Sequence, residues 1–407
     1  MEKITLSPST KRKKYFLTKI TLLSLFFSLF WFSARSILAQ VNPRKFWTAL
    51  PPSEFQIMTE LIQKYNSQHS YHPVKLKNFS SPNLLFHALK TENAPDMALI
   101  DSRWIGSLSS KLTPADSILK KAGAAVEVMV ESDTFTPIWK SCTFNRKGWI
   151  IPFSAKTAAL VLNARDLKKN TEIVNLTQWS KISDKIKPHK NIQPIVLPFN
   201  WENADLAQLW KNFESSFATK NSTNFHRNLA ALNVWWNWIN RFQLASLHPY
   251  QASEDFSRGG SWILLPTETA SLKSQFIVKP LPKNLKPWGY LQVDGIAFFG
   301  KKGWSFANYI TDYSQLKFWS LKTNTVPVNK QVYLSPDYLQ NLRLKRPWMK
   351  IYIQEISQSS PSFNQPHAFS KLKTLAKILK SCFKKQMTEI ETVKKIQKLN
   401  LHSVISQ

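Results

Sequence analysis

Short apolar segments alternate with amphipathic ones in the first part of the chain. Residues 45–48 predict a strand, and residues 54–69 follow with apolar side chains spaced three and four positions apart, at Phe55, Met58, Leu61, Ile62 and Tyr65. This spacing predicts an amphipathic helix. Three further segments continue the alternation as strand, helix and strand: residues 74–79, 84–89 and 97–100. Strands that alternate with helices indicate a mostly parallel sheet with both faces covered.

The ends of these strands are the first candidates for a binding site. In open sheets of this kind, ligands bind beyond the carboxyl ends of the strands. Thr48 ends the first predicted strand, and Asp101 to Trp104 follow the third. We therefore expect a ligand near Trp47, Asp101 and Trp104.

Two apolar segments, residues 148–153 and 158–163, flank a polar turn at residues 154–157. We expect the chain to pass from one lobe to another near Asn163. Apolar and amphipathic segments then alternate again, and they predict strands and helices at residues 195–199, 205–217, 225–242, 261–265, 296–299, 305–322 and 371–400. The fold class that this order indicates is α/β, with two lobes and a ligand cleft between them.

The N-terminal region has the pattern of an export signal. Basic residues precede an uncharged apolar segment at residues 20–32, and a small residue, Ala39, follows. The apolar segment is shorter than the roughly 20 residues that a membrane-spanning helix needs. We predict a signal peptide over residues 1–39, either cleaved near Ala39 or kept as an anchor, and hence a periplasmic protein.

The charge of the chain is strongly positive. Lys and Arg number 55 against 25 Asp and Glu, and removing residues 1–39 changes the net charge from +30 to +24, since seven cations and one anion are lost. This balance favours anionic partners, or it reflects lysine on solvated faces. Cys142 and Cys382 are the only cysteines; they either pair after export or remain unpaired in the core, and they are too few for a metal cluster.

Seven segments, taken in chain order, resemble the family 1 extracellular solute-binding proteins, the receptors of carbohydrate-type ABC importers. They are FWTALPPSEFQIMTELIQKYNSQHS, APDMALID, GWIIPFSAKTAALVLNARDL, NLTQWSKI, FSRGGSWILLPTETASL, PLPKNLKPWGYLQVDGIAFFG and YITDYSQLKFWSLKTNTVPVNKQVY. Together they cover most of residues 44–335. The pairing of PFSAKTAALVLN with FWSLKTNTVPVNKQVY is most similar to the receptors for glycerol 3-phosphate and related phosphodiesters. The chain departs from that subfamily at Ala155 and Thr325, where those receptors usually have Ser and Tyr.

The resemblance implies a receptor without cofactor, metal or catalytic residues. Its expected partners are a sugar, polyol phosphate or glycerophosphodiester and the membrane subunits of an importer, with a monomeric chain and no nucleic acid. We expect an N-terminal lobe of residues 40–163, to which residues 281–310 return, and a C-terminal lobe of residues 164–280 and 311–407. The hinges then lie near Asn163 and within residues 281–295.

Aromatic and hydroxyl side chains are what a sugar receptor needs. Besides the three residues named above, the candidate ligand contacts are Ser154, Thr157, Trp201, Gly260, Ser261, Trp262, Trp288, Gly295 and Arg346. Core packing is the competing interpretation for each tryptophan, and a plain turn for Gly260 and Ser261. The resemblance implies a phosphate-binding Arg, for which Arg343, Arg346 or Lys350 are counterparts; Lys156 and Arg258 are other cations that could meet a phosphate.

Other classes of function have weaker support. The chain has no Gly-x-Ser-x-Gly, no phosphate-binding Gly-rich loop and no His-Glu-x-x-His. A glycosidase needs only two facing carboxylates, which sequence does not exclude. A receptor that has lost its ligand is an alternative. The chain has 9 glycines in 407 residues, which is well below the average usage of about 7%, and the family that it resembles uses more glycine at its cleft. The basic charge and the aromatic residues suit single-stranded nucleic acid, but the export signal argues against it.

Overall fold

A computed structural model describes most of the protein. The described residues are 23–28, 43–122, 131–164, 195–196, 203–215, 217, 219, 221–241, 256, 261–273, 275–281, 290–362 and 364–399. Residues 23–28 form a helical turn with exposed side chains. The rest of the predicted signal peptide lies outside the described residues.

The strands of the described residues, in chain order, are β1 (Arg44–Thr48), β2 (Val74–Asn78), β3 (Met97–Asp101), β4 (Thr143–Phe144), β5 (Lys147–Gly148), β6 (Ile150–Thr157), β7 (Ala159–Asn163), β8 (Ile195–Val196), β9 (Ser261–Leu264), β10 (Phe276–Lys279) and β11 (Leu291–Phe298). The α-helices are α1 (Pro52–Gln68), α2 (Pro82–Thr91), α3 (Ile105–Leu108), α4 (Ala115–Ala122), α5 (Thr136–Cys142), α6 (Asn203–Ser215), α7 (Asn224–Trp236), α8 (Pro266–Ala270), α9 (Trp304–Ile310), α10 (Tyr313–Thr323), α11 (Lys330–Leu334), α12 (Pro336–Leu344), α13 (Met349–Gln358), α14 (Ala368–Phe383) and α15 (Glu389–Lys398).

The first sheet has the strand order β2-β1-β3-β11-β6. Strand β1 runs parallel to both β2 and β3, as the alternation of strands and helices predicts. Strand β11 is antiparallel to both β3 and β6. The sheet is therefore mixed. The sequence pattern missed the reversed strand because β11 is nearly all buried, and a buried apolar strand has the same pattern in either direction.

The second sheet has the order β10-β7-β9-β8, and β7 is antiparallel to both of its neighbours. Because β6 belongs to the first sheet and β7 to the second, the chain passes between them at Ala158. We expected this passage near Asn163, which is the last residue of β7. The polar turn predicted at residues 154–157 is instead the end of β6, in which Ser154 and Thr157 are buried. Their polar side chains suggested a turn, so the pattern did not reveal where one sheet ends and the other begins. The chain returns to the first sheet between β10 and β11, within the predicted hinge region.

Helix α10 packs on the first sheet. It contacts α1 and β6, and Trp319 of α10 lies with its ring 4.9 Å from that of Phe153 in β6. Val326, just after α10, pairs with Ala155 at the edge of β6. We had assigned residues 311–407 to the second lobe. For α10 and Val326 the structure shows contacts with the first sheet, since helical periodicity predicts a buried face without indicating which sheet covers it.

Four helices, α6, α7, α14 and α15, pack on one another and are called the helix group below. Trp210 of α6 and Trp235 of α7 are completely buried, with ring centroids 5.1 Å apart. The ring of Phe383, in α14, lies 6.2 Å from that of Trp235. Of the aromatic cluster in the sequence at residues 235–238, Trp235 therefore faces the core.

The two cysteines are unbonded and both are buried. Burial raises the pKa of the Cys142 thiol, so the thiol form is retained there. Among the described residues, no helix has the length and apolar character to cross a membrane.

Candidate functional site: an ionic cluster at the sheet edge

Arg103 is held at the carboxyl end of β3 by the preceding aspartate. The carboxylate of Asp101 accepts a hydrogen bond from the backbone N–H of Arg103 (2.9 Å) and so caps the turn at Ser102–Trp104. The Nε of Arg103 donates to the same carboxylate (2.9 Å), and Nη2 donates to it as well. A bidentate pair of this kind fixes the direction of the guanidinium. Arg103 is only 1% exposed.

The other side of the guanidinium reaches the helix group. Nη1 of Arg103 lies 2.7 Å from Oδ1 of Asp205, in the first turn of α6. One helical turn later, the side-chain oxygen of Gln208 lies 3.5 Å from Nη1, and its Nε2 donates to the carbonyl of Leu291. Arg103 therefore joins the edge of the first sheet to α6 through charged and polar side chains.

Strand β11 extends the cluster across the sheet. Tyr290, the residue before it, donates its hydroxyl to Oδ1 of Asp205 (2.9 Å) and lies 2.9 Å from the side-chain oxygen of Gln292. The Nε2 of Gln292 donates in turn to Asp294 (3.2 Å). These three side chains lie on one face because alternate residues of a strand point the same way.

Asp294 lies in a row across three strands. In the register of the sheet it is opposite Asp101 of β3 on one side and Ser154 of β6 on the other. Nζ of Lys156, the second cation of the cluster, lies 3.9 Å from Oδ2 of Asp294. The side chains of Lys156 and Asp294 are 18% and 17% exposed, so this end of the cluster is partly accessible to solvent.

The pKa values follow from burial and from an excess of carboxylates. Burial raises the pKa of Asp294 to about 6, although Lys156 acts in the opposite direction. Burial disfavours the charge of Lys156, but Glu54, Asp294, Asp205 and Asp101 together outweigh it and raise its pKa. The same balance raises the pKa of Arg103, where burial is outweighed by Asp101 and Asp205. Both cations therefore stay charged at neutral pH.

These residues form what we call the ionic cluster: Glu54, Asp101, Arg103, Lys156, Asp205, Tyr290, Gln292 and Asp294. It contains four carboxylates and two cations, so its formal charge is −2 when all are ionised. The sequence predicts site residues at 101–104, which include Asp101 and Arg103, and names Lys156 as a candidate cation, but it does not indicate Asp205 or Tyr290. One signal was available, since polar residues at positions 290, 292 and 294 alternate within an otherwise apolar strand.

Several predicted contacts lie beside the ionic cluster but serve the fold. Thr157 is fully buried and donates its hydroxyl to the carbonyl of Tyr290 (2.5 Å). Ser154 is 3% exposed. A Cβ on Gly295 would lie 2.8 Å from the carbonyl oxygen of Ile151. Close packing of β11 on β6 accounts for the glycine at this position.

The two predicted tryptophans that the structure describes fully are core residues. Trp47 is 6% exposed, and its ring lies 5.3 Å from that of Phe79. Trp104 is 2% exposed and packs between Phe86 (5.1 Å) and Phe369 (5.7 Å). The competing interpretation of the sequence, core packing, therefore describes both positions.

The side chain of Arg346 lies at the C-terminal end of α10. Its guanidinium donates to the carbonyl oxygens of Ser320 (3.2 Å) and Leu321, as cations at helix C-termini commonly do. Ser261 and Trp262 begin β9, where they pair with Leu162 and Val161 of β7. Four other candidates lie outside the described residues: Trp201, Arg258, Gly260 and Trp288.

The fold can be compared with known structures. No family model matches the chain, and no curated protein matches its sequence. UgpB from Mycobacterium tuberculosis, in complex with glycerophosphocholine, is similar at a TM-score of 0.73 and 19% identity, over 89% of this chain and 98% of that one. An ABC transporter solute-binding protein from Thermotoga lettingae, bound with α-D-tagatose, is similar at 0.73 and 15% identity, over 90% of this chain and 100% of that one. Maltose-bound MalE3 of T. maritima is similar at a TM-score of 0.71 and 14% identity, over 88% of this chain and 99% of that one.

The chain has the two-lobed α/β fold of these solute-binding proteins. This confirms the fold class that the order of strands and helices predicted. The identities are too low to carry a ligand or a function from any one of these proteins to this chain. What the ionic cluster binds must therefore be argued from its own chemistry.

Proposed function

We propose that the protein is an exported solute-binding receptor of an ABC importer, and that it captures a small molecule between two lobes. The first lobe is built on the first sheet and the second on the second sheet, while the helix group packs on the first lobe through Phe369 of α14. The observation that carries the proposal is the partly exposed Lys156–Asp294 pair, because Lys156 lies two residues before Ala158, where the chain crosses from the first sheet to the second. Polar groups that converge between domains are the usual form of a small-molecule site.

The charge of the ionic cluster favours a neutral sugar over a phosphate. Four carboxylates and a glutamine supply acceptors for sugar hydroxyl groups, and Lys156 supplies donors. A polyol phosphate or a glycerophosphodiester would bring a further negative charge to a cluster that is already at −2. Among the three ligand classes that the sequence suggests, we therefore propose a sugar at this site.

Binding shifts the two lobes toward a closed arrangement, because the ligand contacts both lobes only there. The closed arrangement is the one presented to the importer's membrane subunits, which are separate chains. Export by the N-terminal signal places the receptor in the periplasm, where such an importer collects its substrate. The mechanism needs no covalent step.

Isothermal titration calorimetry of the purified protein tests the proposal. The panel contains maltose, tagatose, glycerol 3-phosphate and glycerophosphocholine. We expect a sugar to bind, and Asp294→Asn to weaken that binding at least tenfold. Gln397→Glu, a charge change on the surface of α15, is the matched control and should leave the affinity unchanged. Absence of binding across a wider set of sugars contradicts the proposal, and turnover of a sugar in the same samples supports a hydrolase instead.

The Arg103–Asp205 pair also favours a second candidate, a receptor that no longer needs a solute. This ion pair already joins the sheet edge to α6 and so stabilises their contact without any ligand. In that case the protein acts as a binding or scaffold component on the membrane side of the importer. Small-angle scattering separates the two candidates: a solute-dependent decrease in the radius of gyration is expected for a receptor, and an unchanged value for a scaffold.

A further inference from the structure

A cavity of about 980 Å³ lies between the β4–β5 hairpin, the C-terminal half of α6 and the segment 360–365. It shares no lining residue with the ionic cluster. Lys211, which lines it, is six residues beyond Asp205 on α6, or about 9 Å along the helix axis. The volume is at the upper end of the roughly 300–1,000 Å³ of small-molecule sites.

The charge in this cavity, which we call the hairpin cavity, is opposite to that of the ionic cluster. Three cationic side chains line it, Lys140 from α5, Arg146 from the hairpin and Lys211 from α6, and no carboxylate is among the lining residues. The remaining lining residues are mostly amides and hydroxyls, among them Asn145, Ser215 and Asn364. Cations that converge from three separate elements produce a positive potential in the space between them.

Lys211 is the buried member of the three. It is 3% exposed, and its ammonium lies 2.6 Å from Oε2 of Glu214. The other oxygen of Glu214 accepts from Nε of Arg227 at 3.1 Å. One carboxylate is therefore shared by two cations, and the three groups together carry a charge of +1. The positive charge of Lys211, the buried cation, is thus only partly offset by Glu214.

The hairpin turn that carries Arg146 has an unusual backbone. Asn145 and Arg146 have φ angles of 51° and 58°, so both are left-handed. A two-residue turn of this type normally has Asn or Gly followed by Gly. The arginine occupies a position that favours glycine, and strained backbone of this kind concentrates at functional sites. Arg146 is one of the residues that line the cavity.

The opposite wall of the cavity is fixed by hydrogen bonds. The backbone N–H of Ser362 donates to Oγ of Ser141 (2.8 Å), and the amide of Asn364 donates to the carbonyl oxygens of Ser141 (3.1 Å) and Thr143. The carbonyl of Asn364 accepts from the N–H of Gly106 at 2.9 Å. Ser362 and Asn364 are thus tied to α3, α5 and β4, so this wall is formed without a ligand.

We propose that the hairpin cavity is a second binding site, and that it takes a small phosphate ester of a polyol. Arg146 and Lys140 contact the phosphate oxygens, for which the planar guanidinium is suited. The amides and hydroxyls of the lining meet the polyol. This site is separate from the sugar site proposed above, and the opposite charges of the two sites assign them different ligands.

Calorimetric titration with glycerol 3-phosphate, and with glycerol at the same ionic strength, tests this inference. We expect glycerol 3-phosphate to bind and glycerol not to bind. Arg146→Gly should weaken glycerol 3-phosphate at least tenfold without lowering the melting temperature, since glycine suits the turn. Lys147→Gln is the matched control, because Lys147 is the next residue, is exposed and does not line the cavity. The affinity of this variant for glycerol 3-phosphate should change less than twofold.

Three outcomes overturn the inference. One is no binding of glycerol 3-phosphate by the wild type. Another is that Arg146→Gly and Lys147→Gln weaken the binding of glycerol 3-phosphate equally, which means that binding depends only on the overall positive charge. The third is loss of binding in Lys156→Met with retention in Arg146→Gly, which places the phosphate at the ionic cluster. Sugar binding is measured in the same variants, so failure of the sugar site and failure of the hairpin cavity are distinguished.

Discussion

Nη1 of Arg103 lies 2.7 Å from Oδ1 of Asp205, although one residue follows a strand and the other begins a helix much later in the chain. Both are nearly excluded from water, with side-chain exposures of 1% and 14%. Arg103 also holds Asp101 at the end of β3. A single guanidinium therefore pairs with two carboxylates and joins the sheet edge to the helix group.

Arg103→Ala should destabilise the protein strongly. It leaves the carboxylates of Asp101 and Asp205 buried without their counter-charge, which typically costs about 3–5 kcal/mol. The free energy of unfolding, measured by urea titration, checks this. Arg343→Ala is the control because Arg343 is exposed on α12. A loss below about 1 kcal/mol, the range of exposed pairs, contradicts the importance given to Arg103.

The stability of the protein should depend on the protonation of Asp294. Its pKa is raised by burial from 3.8 to about 6. Between these values the folded state binds more protons than the unfolded state, so the free energy of unfolding falls as the pH rises through this window. The full effect is about 1–3 kcal/mol.

Asp294→Asn removes this contribution. The difference in stability between the wild type and the variant therefore separates the effect of Asp294 from that of other titrating groups. Urea midpoints of the wild type and the variant are measured from pH 4 to pH 7. We expect the wild type to lose stability relative to the variant as the pH rises. Parallel pH profiles mean that the pKa of Asp294 is not raised in the folded protein.

Gly295→Ala should lower the melting temperature. The new Cβ would lie 2.8 Å from both the carbonyl oxygen of Ile151 and Cδ1 of Ile150, so β11 and β6 must separate. Overpacking of this kind costs about 1–3 kcal/mol. Gly300→Ala is a matched control, because a Cβ there meets nothing within 4 Å. Equal melting temperatures for the two variants contradict a packing role for Gly295.

Thr157→Val tests whether the hydroxyl of Thr157 is structural. The isosteric valine leaves the carbonyl of Tyr290 without this donor, which costs about 1–3 kcal/mol for a buried group. Thr374→Val removes a comparable hydroxyl-to-carbonyl bond, to Ser370, on the exposed face of α14 and should have little effect. Thermal unfolding of both variants provides the comparison. A sugar affinity that falls in Thr157→Val with no change in stability indicates a ligand contact instead.

The sequence predicted the strands and helices of the first part of the chain closely. Strand β3 and helix α1 lie where the apolar spacing placed them, and β1 pairs in parallel with β2 and β3 as the alternation of elements implied. The sequence also named Asp101, which lies at the end of β3 in a row with Asp294 and Ser154. These features are local, because the period of apolar side chains reports which face of an element is buried.

The assignment of elements to a lobe was less successful. Helix α10 has a clear buried face, yet only the structure shows that it packs on α1 and β6. Trp47 and Trp104 were named for their aromatic rings, and the structure places both rings against other aromatic side chains in the core. Burial patterns do not identify the partner that covers a face, so the sequence did not indicate either of these placements.

The sequence by itself determined the α/β class, the order of its strands and helices, and the strand end at Asp101. Only the tertiary structure decided that Arg103 meets Asp205, that Asp294 lies between Asp101 and Ser154, and that three cations from α5, the hairpin and α6 surround one cavity. The physical reason is that periodicity is a property of neighbouring residues. An ionic contact between distant segments depends instead on how the finished elements pack together.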